Sequence, residues 1–242
     1  MFSHLDCSER SEPFRLARTG MDKIRIKTNS AELLYSGVFE QPAFDLMAVG
    51  PQLYKETLKK LSPYGAAVST LTGDTSSIAD ANFSCALPVV NGVFRVRLDR
   101  FDLNLARYHE VGLDLGNAIL VDCWTVLADR DPSLTLRQHG ISMNVNSRMV
   151  DRPFHDLVTR FVKIPTGFPA GTQAAVGYYF LPDEATGLRL FSVILDRTAE
   201  PEVFNLRIEF GFRGDLASPA AVGAYVDSFL QKQFEILGMA WE

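Results

Sequence analysis

Hydrophobic and polar positions alternate beside Asn91-Gly92, close to the middle of the chain. The apolar segment 86–90 leads into this pair, and the segment 93–98 leaves it with apolar and charged side chains in turn. Asn-Gly suits a two-residue turn in which both residues have positive φ. The pattern therefore predicts a β-hairpin, and with it an antiparallel sheet at the centre of the chain.

The same patterns along the rest of the chain predict two groups of elements, each in the order helix, three strands, helix. The first group comprises a helix over 52–61, strands over 65–72, 81–90 and 93–104, and a helix over 107–128. The second comprises a helix over 153–162, strands over 173–181, 188–196 and 203–212, and a helix that begins at Ser218-Pro219. Further strands are predicted over 31–40 and 134–146, and a short edge strand over 23–27.

Strands grouped between helices predict an α+β fold with the helices packed on one face of an antiparallel sheet. The segment 204–212 supports this fold, because its apolar side chains alternate with Asn205, Arg207 and Glu209 and so give one buried and one polar face. The expected divisions are an irregular N-terminal arm over 1–30, a first half over 31–150 and a second half over 151–242. The two halves form either separate units or one continuous domain.

Several segments resemble a sporadically distributed family of prokaryotic α+β proteins. The resemblance rests on Gly92-Val93-Phe94-Arg95-Val96 leading on to Arg107-Tyr108, and on Phe229 with Phe234 in the last helix. It covers the chain from about residue 80 to the C-terminus. The family has no established activity, so the resemblance implies an α+β fold in a prokaryotic protein and assigns no role to any residue.

Composition limits the classes of partner. The chain has 242 residues, a net charge of −5 and a pI near 5.4, which argues against a nucleic-acid-binding protein that relies on a strongly basic surface. Three widely spaced cysteines do not suggest a disulfide framework, and neither a membrane-spanning segment nor a secretion signal is evident. We therefore expect a cytoplasmic protein that does not bind membranes.

Motifs for specific chemistry are missing from the sequence. The four histidines, His4, His109, His139 and His155, have no metal-ligand spacing with one another or with cysteine. No phosphate-binding loop, dinucleotide fingerprint or nucleophile elbow occurs. We therefore expect neither a metal nor a cofactor.

Charged residues on the predicted strands give the best candidate site. Arg95 and Arg97 share one face of a strand, as do Arg137 and His139 on a second strand and Arg207 and Glu209 on a third. If these faces form one surface, its arginines could bind a carboxylate or a phosphate. The alternative is a solvated sheet face with cross-strand ion pairs.

Three functions are compatible with these patterns. The first, which we favour, is a non-catalytic interaction or scaffold protein that binds a protein partner or a second copy of itself. This hypothesis rests on the high phenylalanine content, 17 residues, and on three aromatic residues expected outside the core: Phe168, Phe180 and Trp241. The second is a small-molecule-binding protein with a pocket between the curved sheet and a long helix, lined by residues such as Tyr178, Tyr179 and Phe180. The third is an enzyme that uses the charged sheet face or Asp122, a carboxylate in an otherwise apolar helix.

Overall fold

The computed structural model describes residues 24–48, 50–74, 77, 81–163, 167, 174–180, 187–214, 218–236 and 238–241. The described strands are β1 (Ile24–Phe39), β2 (Leu71–Asp74), β3 (Asn82–Leu87), β4 (Gly92–Arg97), β5 (Arg100–Leu105), β6 (Leu136–Met149), β7 (Val176–Phe180), β8 (Leu188–Arg197), β9 (Val203–Arg213) and β10 (Met239–Trp241). The described helices are α1 (Phe44–Ala48), α2 (Gly50–Leu61), α3 (Tyr108–Val111), α4 (Leu113–Arg130), α5 (Phe154–Val158) and α6 (Pro219–Ile236).

These strands form one sheet in the order β2-β3-β4-β5-β1-β6-β9-β8-β7, and the short β10 pairs with the beginning of β1. Every pairing is antiparallel except that of β10, which is parallel. The two predicted halves share this sheet, because β6 from the first half pairs with β9 from the second. The predicted α+β class is confirmed.

The helices pack on one face of the sheet, which we name the inner face. Ring contacts join α2, α4, α5 and α6 to it: Tyr54 with Phe83, Trp124 with Phe101, Phe154 with Phe204, and Tyr225 with Phe212. Burying one such phenylalanine stabilises the fold by about 1.5–3 kcal/mol. The opposite, outer face carries the alternate residues of each strand, which are mostly polar.

Two bulges interrupt the pairing of the central strands β1 and β6. Between Thr28 and Ser30 of β1 the register shifts by one residue, so Asn29 is the additional residue. At the other end, Val38 lies opposite Gln138 and Phe39 lies opposite Leu136, so Arg137 is the additional residue on β6. A bulge changes which face the following side chains occupy relative to simple alternation.

A gap lies along the other side of β1. There β5 pairs with residues 33–38 and β10 pairs with residues 24–26. Residues 27–32 have no strand partner on this side among the described residues, and α3 lies against this part of β1 instead. The gap therefore replaces a strand-to-strand contact with a helix-to-strand contact.

The predicted hairpin forms, but its turn differs from the prediction. Asn91 alone has positive φ, at 48°, because residues 88–90 form a short 3₁₀ turn and Gly92 is already the first residue of β4. The strand predicted over 93–104 is two strands that reverse at Leu98-Asp99, so the first group has four strands rather than three.

Two further boundaries differ. Residues 24–30 belong to β1 rather than to an irregular arm, and they lie in the middle of the sheet rather than at its edge. Residues 1–23 lie outside the described residues. The helix predicted over 107–128 is broken at Gly112, whose φ of 78° separates α3 from α4.

Candidate functional site

Four of the six predicted site residues lie on the outer face, in two separate places. Arg95 and Arg97 are on β4, where Arg95 lies opposite Asp102. Arg207 and Glu209 are on β9, where their neighbours are uncharged residues of β6 and β8. Four strand spacings separate β4 from β9, which is about 19 Å at roughly 4.8 Å per spacing. The two arginine pairs therefore cannot hold one small ligand together.

Arg137 and His139 do not share a face, contrary to the prediction. Arg137 is the additional residue of the second bulge and is exposed, whereas His139 is only 2% exposed and packs on the inner face against Phe212, with ring centroids 5.8 Å apart. The bulge accounts for the error, because the prediction assumed uninterrupted alternation from Arg137 to His139.

His139 is part of a buried polar pair. The hydroxyl of Tyr35 lies 2.8 Å from Nδ1 of His139 and can donate to it in the neutral ring. Burial lowers the pKa of His139 to about 4, although the backbone carbonyl of Arg213 opposes this change. Burial likewise raises the pKa of Tyr35. This pair joins two central strands and stays uncharged at neutral pH.

Arg207 lines a depression of about 500 Å³ on the outer face, which we name the outer trough. Its polar side chains largely satisfy one another. The Asn29 amide donates to Asn146, and the Asn146 amide donates to Asn205, both at 2.9 Å. Glu32, also in the trough, accepts from Asn104 at 2.8 Å. Arg207 shares the trough with the carboxylates of Glu32 and Asp196, so it belongs to a depression of mixed charge rather than to a cluster of cations.

A second depression, the inner pocket, lies between the inner face of the sheet and the helices. Its volume is about 460 Å³, within the usual range of small-molecule sites. The sheet contributes Thr28, Ala31, Met143, Val145 and Ile208; α3, α4 and the residue between them contribute Tyr108, His109, Gly112 and Leu113; α6 contributes Leu230, Gln231 and Phe234. These described lining residues include no lysine, arginine, aspartate or glutamate.

His109 reaches the inner pocket because of the gap beside β1. Ala31 has no strand partner on that side, and its backbone N–H donates to Nδ1 of His109 at 3.1 Å. A buried backbone donor needs such an acceptor. The accepting Nδ1 must be unprotonated, so in the neutral ring the proton is on Nε2. Nε2 lies 3.9 Å from a carboxylate oxygen of Glu110, which is beyond hydrogen-bond distance.

Other sequence candidates have structural roles. Asp122 lies 3.3 Å from Nζ of Lys60 and accepts from the hydroxyl of Tyr64 at 2.7 Å, which ties α4 to the end of α2. Desolvation and this hydrogen bond raise the pKa of Tyr64. Burial also raises the pKa of both described cysteines, Cys85 and Cys123, so neither is a reactive thiolate.

The aromatic residues expected in the ligand pocket lie elsewhere. Tyr178 is half-buried against Phe161, and Tyr179 is 73% exposed on β7. The side chains of Phe180 and Trp241, and all of Phe168, lie outside the described residues. Tyr108 and His109 begin the single long helix that the sequence predicted, whereas in the structure they lie on the separate helix α3. Gly112 was the local signal that the predicted helix could break.

The described residues include neither a cluster of metal ligands nor a membrane-spanning helix. No group of three or more histidine, cysteine, aspartate or glutamate side chains in this part of the chain could hold a metal ion. No helix there is long and apolar enough to cross a membrane.

Comparisons with known proteins give little further guidance. No family model matches the sequence, and no curated protein matches it. Among solved structures, Methanococcus jannaschii TBP aligns with 88% of this chain and 98% of its own, with 11% sequence identity and a TM-score of 0.29. A similarity at this level supports no inference about function. The resemblance to the sporadically distributed prokaryotic family remains a prediction.

Proposed function

We propose that the protein is a non-catalytic binding protein that holds a small, mainly apolar molecule in the inner pocket. The observation that carries this proposal is a pocket of about 460 Å³ between the sheet and α3, α4 and α6, with a mainly apolar lining. A depression of this volume with apolar walls is typical of small-molecule sites. At the roughly 30 Å³ that a water molecule occupies in the liquid, the pocket has room for about 15 water-sized groups.

The outer face supports catalysis or anion binding less well. The four predicted site residues on this face lie in two groups about 19 Å apart by strand spacing, and the amides of the outer trough already bond to one another. The inner pocket instead combines apolar walls with a polar side chain, His109, that has one nitrogen without a hydrogen-bond partner among the described residues.

A pair of filling variants tests this proposal. Val145 and Val193 are both buried, inward-facing valines on neighbouring parts of the sheet, but only Val145 lines the inner pocket. We expect Val145→Phe to fill the pocket, to abolish binding of the neutral dye prodan and to leave the urea midpoint nearly unchanged. Val193→Phe has no space to enter and should lower stability by about 1–3 kcal/mol.

Prodan fluorescence in the two variants distinguishes between support for the proposal and its contradiction. Loss of prodan fluorescence enhancement in Val145→Phe but not in a folded Val193→Phe supports the pocket as the binding site. Equal enhancement in wild-type protein and Val145→Phe, or no enhancement in the wild-type protein, contradicts the proposal.

A second candidate function is self-association through the edge of the sheet. Among the described strands β7 has one neighbour, β8; its sequence, Val176–Phe180, contains no charge, and Tyr179 is 73% exposed. Uncharged edge strands can pair with a strand of another chain. If β7 pairs with a second copy, native mass spectrometry should give a dimer that Tyr179→Lys converts to a monomer. A monomeric wild-type protein contradicts this candidate.

We further propose that the protein is cytoplasmic. The reduced, buried thiols of Cys85 and Cys123 are compatible with that compartment.

A further inference from the structure

We infer that the ligand of the inner pocket is electrically neutral and carries one hydrogen-bond acceptor, such as a hydroxyl, ketone or ester oxygen, on an apolar body. This inference rests on the proposed function, since it concerns the same pocket. Three features of the pocket support it. They are the distribution of polar groups in the lining, the position of the ring proton on His109, and the absence of lysine, arginine, aspartate and glutamate from the described lining residues.

Polar and apolar groups occupy different parts of the pocket. Met143, Val145 and Ile208 on the sheet are at most 5% exposed and form the buried wall. Gln231 on α6 is exposed, and the side chain of His109 is 25% exposed, so both lie where the pocket reaches solvent. A molecule that fits both parts has its apolar body inside and its polar group near the opening.

His109 supplies the donor for that polar group. Because Nδ1 accepts from the backbone N–H of Ala31, the neutral ring presents Nε2–H, which has no hydrogen-bond partner among the described residues. The other lining residues with polar side chains, Thr28, Tyr108 and Gln231, each make an interaction within the protein. An acceptor on the ligand would therefore complete the hydrogen bonding of His109.

The electrostatics disfavour a charged ligand of either sign. No lysine, arginine, aspartate or glutamate is among the described lining residues, so a charged group in the opening would be partly desolvated without a counter-ion in the lining. Glu110, 3.9 Å from Nε2 of His109, is already paired with Arg107 at 3.2 Å, so neither of these side chains is a free counter-ion for the ligand. An ammonium group on the ligand is a hydrogen-bond donor, and it could not bond to Nε2–H because that group is also a donor. A neutral oxygen is thus the group that this opening accommodates.

Competition among ligands of one chain length tests the charge requirement in the wild-type protein. Prodan, which is neutral and has a ketone oxygen, serves as the reporter, and decanol, decanoate and decylammonium compete with it. We expect decanol to displace prodan at a concentration at least about tenfold lower than either charged compound, because the charged group of each would be partly desolvated without a counter-ion in the lining.

Three variants test the donor. His109→Phe should reduce the affinity for decanol about three- to tenfold, the range for one neutral hydrogen bond, and should shift prodan emission to shorter wavelength. His109→Gln should restore both values, since its amide can accept from Ala31 and donate to the ligand. His155→Phe, at an exposed histidine on α5, is the matched control and should change neither.

The outcomes separate the two proposals. If prodan binds but decanoate or decylammonium competes as well as decanol, or if His109→Phe leaves the affinity and the emission unchanged, the inference about the ligand is wrong and the proposed function stands. If prodan does not bind to the wild-type protein, the proposed function fails, and the inference fails with it.

Discussion

Acidification should destabilise the protein through His139. The neutral ring is 2% exposed and bonded to the hydroxyl of Tyr35, and burial lowers its pKa from 6.5 to about 4. In the unfolded chain the same side chain titrates near 6.5. Between these two pKa values the unfolded state binds a proton that the folded state does not bind, so the free energy of unfolding falls as the pH falls.

The size of this effect follows from the separation of the two pKa values. Each unit of difference corresponds to about 1.4 kcal/mol, so the separation corresponds to about 3 kcal/mol. The loss begins below about pH 6.5, continues to about pH 4 and is negligible above about pH 7.5. Since small proteins have a total stability of about 5–15 kcal/mol, this contribution is a large fraction.

Urea unfolding followed by circular dichroism, at several pH values from about 7.5 to 4.5, measures this contribution. His139→Gln keeps an acceptor for Tyr35 but does not titrate, so the wild-type protein should lose about 2–3 kcal/mol more than this variant over that range. His155→Gln, which removes an exposed histidine, should follow the wild-type curve. Parallel curves for the wild-type protein and His139→Gln would refute the argument.

Two further predictions concern close contacts in the fold. A Cβ at Gly37 would lie 2.5 Å from Cε1 of Phe101, so Gly37→Ala should lower the free energy of urea unfolding by about 1–3 kcal/mol; an unchanged midpoint would show that the ring moves without cost. Asp122→Ala removes the acceptor of the Tyr64 hydroxyl and should lower stability by about 1 kcal/mol. Asp122→Asn keeps an acceptor and should lose less, as thermal unfolding can measure; equal losses would contradict the role of this hydrogen bond.

The sequence predicted those features that depend on residues close together in the chain. The alternation over 204–212 assigned Phe204 to the buried face and Arg207 to the solvent face, and β9 has this arrangement. A strand repeats every two residues, so local alternation is sufficient to assign its faces. The α+β class followed from the same local patterns and their order.

The alternation of apolar and polar residues gave the wrong face for a side chain where the partner strand determines the local geometry. His139 was assigned to the same face as Arg137, but Arg137 is an additional residue between the pairs Val38–Gln138 and Phe39–Leu136. A bulge is defined by the pairing of one strand with its neighbour, and the sequence of residues 134–146 does not indicate which strand that neighbour is. The same limit applies to the separation of Arg95 and Arg207, because the order of the strands in the sheet is not a local property.

The inner pocket was harder still to predict, because it combines three distant segments. Residues 28–31, 108–113 and 230–234 contribute to it, and only the general position between sheet and long helix was anticipated. Gly112 was the one local signal, since a glycine with φ of 78° permits the chain to leave one helix and begin another. Reading α3 and α4 as one helix placed His109 on that helix rather than against β1.

The irregularities around β1 are connected, and together they account for the donor in the inner pocket. The gap over residues 27–32 leaves the backbone N–H of Ala31 without a strand partner on that side. The break at Gly112 lets α3 lie against the gap, where Nδ1 of His109 accepts from Ala31. That bond fixes the proton on Nε2, so the interaction that satisfies the backbone also orients the donor toward a ligand. A regular strand in the gap would satisfy Ala31 directly and leave His109 without this role.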